Sequence, residues 1–202
     1  MKKILALITV LAVALTLCAC APELTPAEKL DKYITENGKQ NNNETVVEFP
    51  EIEKFIEEQE FGIASSGGKT TPSQNCRFVK KEDSTYFEIV DEAVTTGGLK
   101  MERRVTLALD GKFSYSNGLV FNGQTLGVQL EGEIPMESYN KEASPVITSS
   151  KFSEGAKMTD PVKELLKNYI DLTMDCLEKA LATEDIGLTL SDIGFTAYQE
   201  NK

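Results

Sequence analysis

Histidine and tryptophan are both absent from the 202 residues of this chain. Without histidine the commonest general base and the commonest metal ligand are missing. Ser–His–Asp triads and Cys–His nucleophile pairs are therefore excluded. Cationic side chains are also in short supply, with 21 Lys and Arg against 32 Asp and Glu. An acidic chain is repelled by nucleic acid and by anionic lipid head groups, so nucleic acid is not an expected partner. Long apolar runs are scarce too. Ile4 to Leu17 is uninterrupted for 14 residues, whereas a helix crossing a hydrocarbon core of about 30 Å needs about 20.

That short run follows a positive start, Lys2-Lys3, and ends in small residues and cysteine, Leu17-Cys18-Ala19-Cys20. A charged n-region, a short apolar core and a small-residue end have the pattern of an export signal. The end of the run resembles the lipobox of bacterial lipoproteins: an aliphatic residue, two small residues and then the cysteine that receives diacylglycerol. The resemblance covers residues 1–20 only. It implies cleavage before Cys20 and lipidation of its thiol. Cys18 as acceptor would put Leu17 just before the cut, where a small residue is expected. Ala21 is not the aspartate of Gram-negative inner-membrane retention. The expected location is thus extracytoplasmic, anchored by lipid to a Gram-positive surface or an outer membrane. Loss of Lys2 and Lys3 with the signal takes Lys plus Arg from 21 to 19 against 32 acids, moving the formal charge from -11 to -13.

Beyond the signal, Thr25-Pro26-Ala27-Glu28 is a capping box with proline at the first helical position. The spacing of Ala27, Leu30 and Ile34 predicts a short helix over 26–36, stopped by Asn37-Gly38. The polar stretch 37–44 reads as a loop or linker. Thr45 to Phe49 reads as a strand, and 51–60 as a helix with Ile52, Phe55 and Ile56 on one face. The expected organisation is a cleaved signal over 1–19, a lipidated N-terminus with helix and Asn-rich linker over 20–44, and a single globular domain over 45–202. If the first helix instead belongs to the domain, only Ala21 to Thr25 tether it, a span of at most about 18 Å.

From Cys76 to about Phe152 the apolar period changes to two, with turn signals at Lys81–Ser84, Thr96–Gly98, Asp110-Gly111 and Asn122-Gly123. This predicts an antiparallel meander of about six strands. Register follows from matching like with like, because a one-residue slip reverses every side chain. A two-residue Asn122-Gly123 turn sets Leu119 opposite Leu126 and Tyr115 opposite Leu130. A three-residue loop with Gly111 left-handed sets Leu107 opposite Phe113. A Lys81–Ser84 loop sets Phe78 opposite Phe87 and Cys76 opposite Ile89. One face then collects Cys76, Phe78, Phe87, Ile89, Val105, Leu107, Phe113, Tyr115, Leu119, Phe121, Leu126, Val128, Leu130 and Ile134. The other, with Arg77, Glu88, Glu102, Arg104, Thr106, Ser114, Gln129 and Glu131, is expected to be wet.

A stripe from Val162 through Leu166, Tyr169, Cys176 and Ala180 predicts a long amphipathic helix over about 161–183 that covers the apolar face. The tail 186–200 reads as either a short helix or a last strand. The fold class is α+β. The order across 45–185 looks like the helix-grip arrangement, START or Bet v 1-like, which implies a curved sheet around the last helix.

Chemistry-bearing motifs are few. Gly62 to Thr70 mimics a phosphate loop, but five residues rather than four separate Gly62 from Gly68, and Pro72 sits where a helix would begin. The acidic cluster Glu51, Glu53, Glu57, Glu58 and Glu60 offers no facing carboxylate pair for glycoside chemistry, and no calcium-loop spacing occurs. Neither a catalytic residue, a metal site nor a cofactor is expected. Cys76 and Cys176 fall on facing apolar surfaces and are a possible disulfide. Arg103 falls on the apolar face, either anchoring an acidic ligand head or paired across the strands with Asp91 (with Glu92 if the turn is Gly97-Gly98). The functional expectation is a non-catalytic binding or interaction domain with a protein or glycan partner. The alternatives are a carrier of a small apolar ligand between sheet and helix, and a carboxylate-based hydrolase.

Overall fold

The computed structural model describes residues 23–58, 71–82, 84–94, 98–122, 124–153 and 157–198. The lipobox with Cys20 and the loop motif Gly62 to Thr70 lie outside these residues. Three helices and eight strands follow in the order α1 (Pro26–Asn37), β1 (Lys39–Asn41), β2 (Glu44–Glu48), α2 (Pro50–Glu58), β3 (Thr71–Lys81), β4 (Ser84–Val94), β5 (Lys100–Ala108), β6 (Lys112–Phe121), β7 (Gln124–Glu133), β8 (Val146–Phe152) and α3 (Asp160–Leu181). The strands form one open antiparallel sheet in chain order, β1 to β8. The strand count is eight, not six.

The two strands beyond the meander of six are β1 and β2. β2 falls on the strand expected at Thr45 to Phe49, and β1 arises where the polar stretch 37–44 was expected to be a linker. Asn42, at φ 55°, makes a tight turn there, and Lys39 pairs with Val46. Asparagine tolerates the left-handed region because its short side chain bonds locally, so polar composition here marks a hairpin tip. β2 then adds to β3, with Val47 opposite Phe78. At the other edge, β8 pairs with β7 across a register shift at Glu131/Gly132.

The central registers match those expected from the sequence. Phe78 faces Phe87, Cys76 faces Ile89, Leu107 faces Phe113, Tyr115 faces Leu130, Leu119 faces Leu126 and Asp91 faces Arg103. Gly111 is left-handed at φ 86°, as the three-residue loop requires. Gly118 faces Gly127 without a bulge. A Cβ on Gly118 would lie 2.0 Å from the Leu126 carbonyl oxygen, so the strands approach closely there only because both residues lack side chains.

The core lies on one face of the sheet. Phe78 packs edge-on against Phe49 at 5.7 Å and Phe87 at 5.0 Å, a favoured aromatic geometry. α3 buries Leu166, Tyr169, Ile170, Met174, Cys176, Leu177 and Ala180 against this face. Thr159 precedes it, but the side chain makes no capping bond. Leu30 and Ile34 of α1 are buried in the same cluster, so α1 is part of the folded unit. The capping box is formed: Glu28 N–H donates to Thr25 Oγ1 at 3.3 Å, and Thr25 N–H donates to the Glu28 carboxylate at 2.9 Å. The tail forms neither a regular helix nor a strand. It buries Ile186, Leu188, Leu190, Phe195 and Tyr198 around a single 3-10 turn, Ser191–Ile193.

Candidate functional site

Three arrangements of side chains could carry function, and each follows from where α3 lies on the sheet.

The first is an uncovered part of the apolar face. α1 and the loop after β5 meet at one end of the strands, where Ala27 to Glu36 and Ala108 to Asp110 line a groove of about 720 Å³. α3 and the C-terminal tail cover the middle. At the far end the same sheet face emerges bare. Leu99, Leu119, Phe121 and Leu126 are 58%, 41%, 65% and 54% exposed. Sequence alternation places Leu119, Phe121 and Leu126 on the core face, where they were expected to be covered. The correction comes from placement. α3, 22 residues and about 33 Å long, is no shorter than β5 at about 30 Å, but it does not lie over this end of the sheet. Exposed large apolar side chains grouped on one face, rather than scattered singly, make this end of the sheet a candidate site.

The second is the polar belt between this ledge and the core. Asp91 and Arg103 face each other on β4 and β5, with Nη1 to Oδ2 at 3.8 Å. The Arg103 guanidinium lies 4.5 Å from the centre of the Tyr169 ring on α3, a cation–π geometry. The Tyr115 ring is 5.9 Å from Tyr169. Burial raises the Tyr115 phenol above its ordinary value, opposed by the Arg103 charge. Both expected residues thus meet. Arg103 is neutralised within the sheet and pinned under α3.

The third joins the 135–145 loop and the tail to α3. Tyr139 Oη donates to Asp171 at 2.7 Å, and Tyr198 Oη donates to Asp175 at 2.7 Å and to the Asp171 carbonyl. The two rings stack at 6.1 Å, and Lys141 and Lys167 pair with Asp175 and Asp171. Desolvation first, then the carboxylate hydrogen bonds, push both phenols well above the ordinary tyrosine value. Asp171 and Asp175 each carry a tyrosine hydroxyl and a lysine, so neither is available as a general base. The sequence signal for this clasp was limited to the i,i+4 run Lys167, Asp171, Asp175, because Tyr139 and Tyr198 lie in irregular segments.

The outer face is polar but not uniformly wet. Glu88, expected in solvent, is 2% exposed. Arg77 Nε donates to it at 2.6 Å, and Arg104 lies at 3.1 Å from it and at 3.2 Å from Glu102. Glu102 is partly desolvated, which favours protonation, yet Arg104 and Lys100 outweigh this and hold its pKa below the ordinary value. A ladder of alternating charge is a sheet-stabilising pattern. Among the described residues, no group of three or more Cys, Asp or Glu is placed to hold a metal ion, and no helix is long and apolar enough to cross a membrane. Comparison with known proteins finds no match: no family model, no curated protein and no solved structure is significantly similar to the chain.

Proposed function

We propose that the protein is a lipoprotein, anchored through Cys20 outside the cytoplasm, whose folded domain binds a partner protein without catalysis. The observation that carries this reading is the bare apolar ledge of Leu99, Leu119, Phe121 and Leu126. It lies at the end of the strands opposite α1, about 30 Å along β5. A short tether before Pro26 would hold the α1 end toward the membrane and the ledge away from it. Aliphatic side chains and one phenylalanine suit an apolar protein surface better than a glycan, which offers hydroxyls.

A photo-crosslinking residue at Phe121 is expected to give one discrete protein adduct in intact cells. The same residue at exposed Glu142, remote in sequence, should give none. Leu99→Ser with Leu119→Ser should abolish the Phe121 adduct while leaving the melting midpoint nearly unchanged. Equal adducts from both positions would sink the ledge as the binding surface. Cys20→Ser should abolish fatty-acid labelling and membrane partition, while Cys18→Ser should leave both.

The carrier reading would use Arg103 as the anchor for an acidic head group, yet that guanidinium is already paired with Asp91 and stacked on Tyr169. Against it, α3 and the sheet meet through fully buried side chains such as Phe78, Phe87, Leu107 and Leu177. In outline α3 on an antiparallel sheet remains helix-grip-like, but with a filled interior. Mass spectrometry of an organic extract of the native protein separates the readings; an amphiphile at one per chain would favour the carrier.

A further inference from the structure

Beyond Cys20 the chain has two cysteines, Cys76 and Cys176, one hundred residues apart. Cys76 sits on β3, opposite Ile89 of β4. Cys176 sits on α3, in the stripe that packs on the sheet. Both are fully buried as free thiols in one core cluster, and they are near enough for the Cys176 thiol to act on that of Cys76. The chain has no histidine to activate either thiol as a nucleophile. Both elements are central to the fold, so the pair sits where a covalent link would tie the sheet to its cover.

We propose that Cys76 and Cys176 form a structural disulfide in the exported protein, joining β3 to α3. The inference rests on the extracytoplasmic reading for its redox setting, since disulfides persist outside the cytoplasm. The oxidant is a dithiol–disulfide exchange protein in its oxidised form. The thiolate of one cysteine attacks a sulfur of that disulfide, forming a mixed disulfide and freeing one partner thiolate. The second cysteine, as thiolate, attacks the chain's sulfur in the mixed disulfide and displaces the other partner sulfur. Two electrons and two protons leave the chain and end on the partner as a dithiol. Burial first, then the Cys176 thiol and the charges of Glu53 and Glu51, hold the Cys76 thiol well above the ordinary range in the packed reduced state. The bond therefore forms while the chain is still folding, and the reduced folded protein oxidises slowly.

The full chain should be exported in a bacterial host with an oxidising envelope, recovered from membranes and denatured in alkylating agent. Cys76 and Cys176 are expected to stay unmodified without reductant and to take one label each after reduction. A linked peptide pair should appear in a non-reducing digest. Reduction should lower the melting midpoint by about 5–15 °C, to a value close to that of the Cys76→Ala/Cys176→Ala variant. Two labels without reduction, in protein that carries lipid on Cys20, overturn the disulfide and leave the anchor standing. Absence of lipid overturns the anchor reading instead. In that case refolding the purified full chain in a glutathione redox buffer decides: closure with native circular dichroism supports the disulfide, and failure to close overturns it.

Discussion

At the scale of single residues, burial and partner geometry decide which side chains hold the fold. Phe78 is fully buried between Phe49 and Phe87. Phe78→Ala removes the shared partner of both rings and leaves a cavity that rigid strand backbones cannot collapse. The expected loss is about 3–5 kcal/mol, read as a lower urea midpoint at unchanged slope. Arg103 illustrates the limit of the sequence at this scale. Alternation placed it on the apolar face opposite Asp91, and turn length set the register. That Tyr169 would cap the guanidinium could not be read, because helix rotation over the sheet depends on packing along its whole length.

At the scale of elements, α1 was legible almost to the residue. Its capping box, proline and apolar spacing act locally, within one or two turns. The bond from Thr25 N–H, then that from the Thr25 hydroxyl, hold the Glu28 carboxyl below its ordinary value. A carboxyl depressed in the folded state adds stability that is present above its unfolded pKa of about 4.5 and lost as pH falls through the folded value. Thr25→Ala should therefore lower the urea midpoint at pH 7, and the gap to wild type should narrow as pH drops below about 4.5. The Asn-rich segment was misjudged for a physical reason. β2 was read as a strand, but its partner β1 is three polar residues long and carries too few side chains for a period of two to register. β1 is held by β2, and β2 by β3 and α1, of which β3 is a non-local support. The central hairpins were legible because each spans nine or more residues and couples alternation to turn geometry.

At the scale of the whole molecule, the tyrosine clasp ties the loop after β7 and the C-terminal tail to α3. Tyr139 and Tyr198 both have phenols raised above the ordinary value. In the folded state they stay neutral, while in the unfolded chain they ionise near pH 10. Their contribution is therefore complete below pH 10 and is lost as pH rises further toward the folded values. Ultraviolet absorbance should show these two phenols ionising only together with loss of the far-ultraviolet dichroism. Tyr139→Phe removes a buried donor from Asp171 and should cost about 1–3 kcal/mol at pH 7, with a shallower alkaline transition than wild type. Two independently titrating phenols below the unfolding transition would contradict the clasp.

The sequence by itself determined the α+β class, the sheet face on which each strand residue lies and the pairing of the central strands. These follow from period, turn chemistry and short-range capping, which act over a few residues. The class of chemistry was bounded in the same way, because a chain without histidine lacks whole families of mechanism wherever its residues end up. Tertiary structure alone decided how far the helix reaches along that face. Coverage is a matter of placement between elements far apart in the chain, so Leu107 and Leu119, two apolar residues on the same side of one sheet, end as core and as open surface.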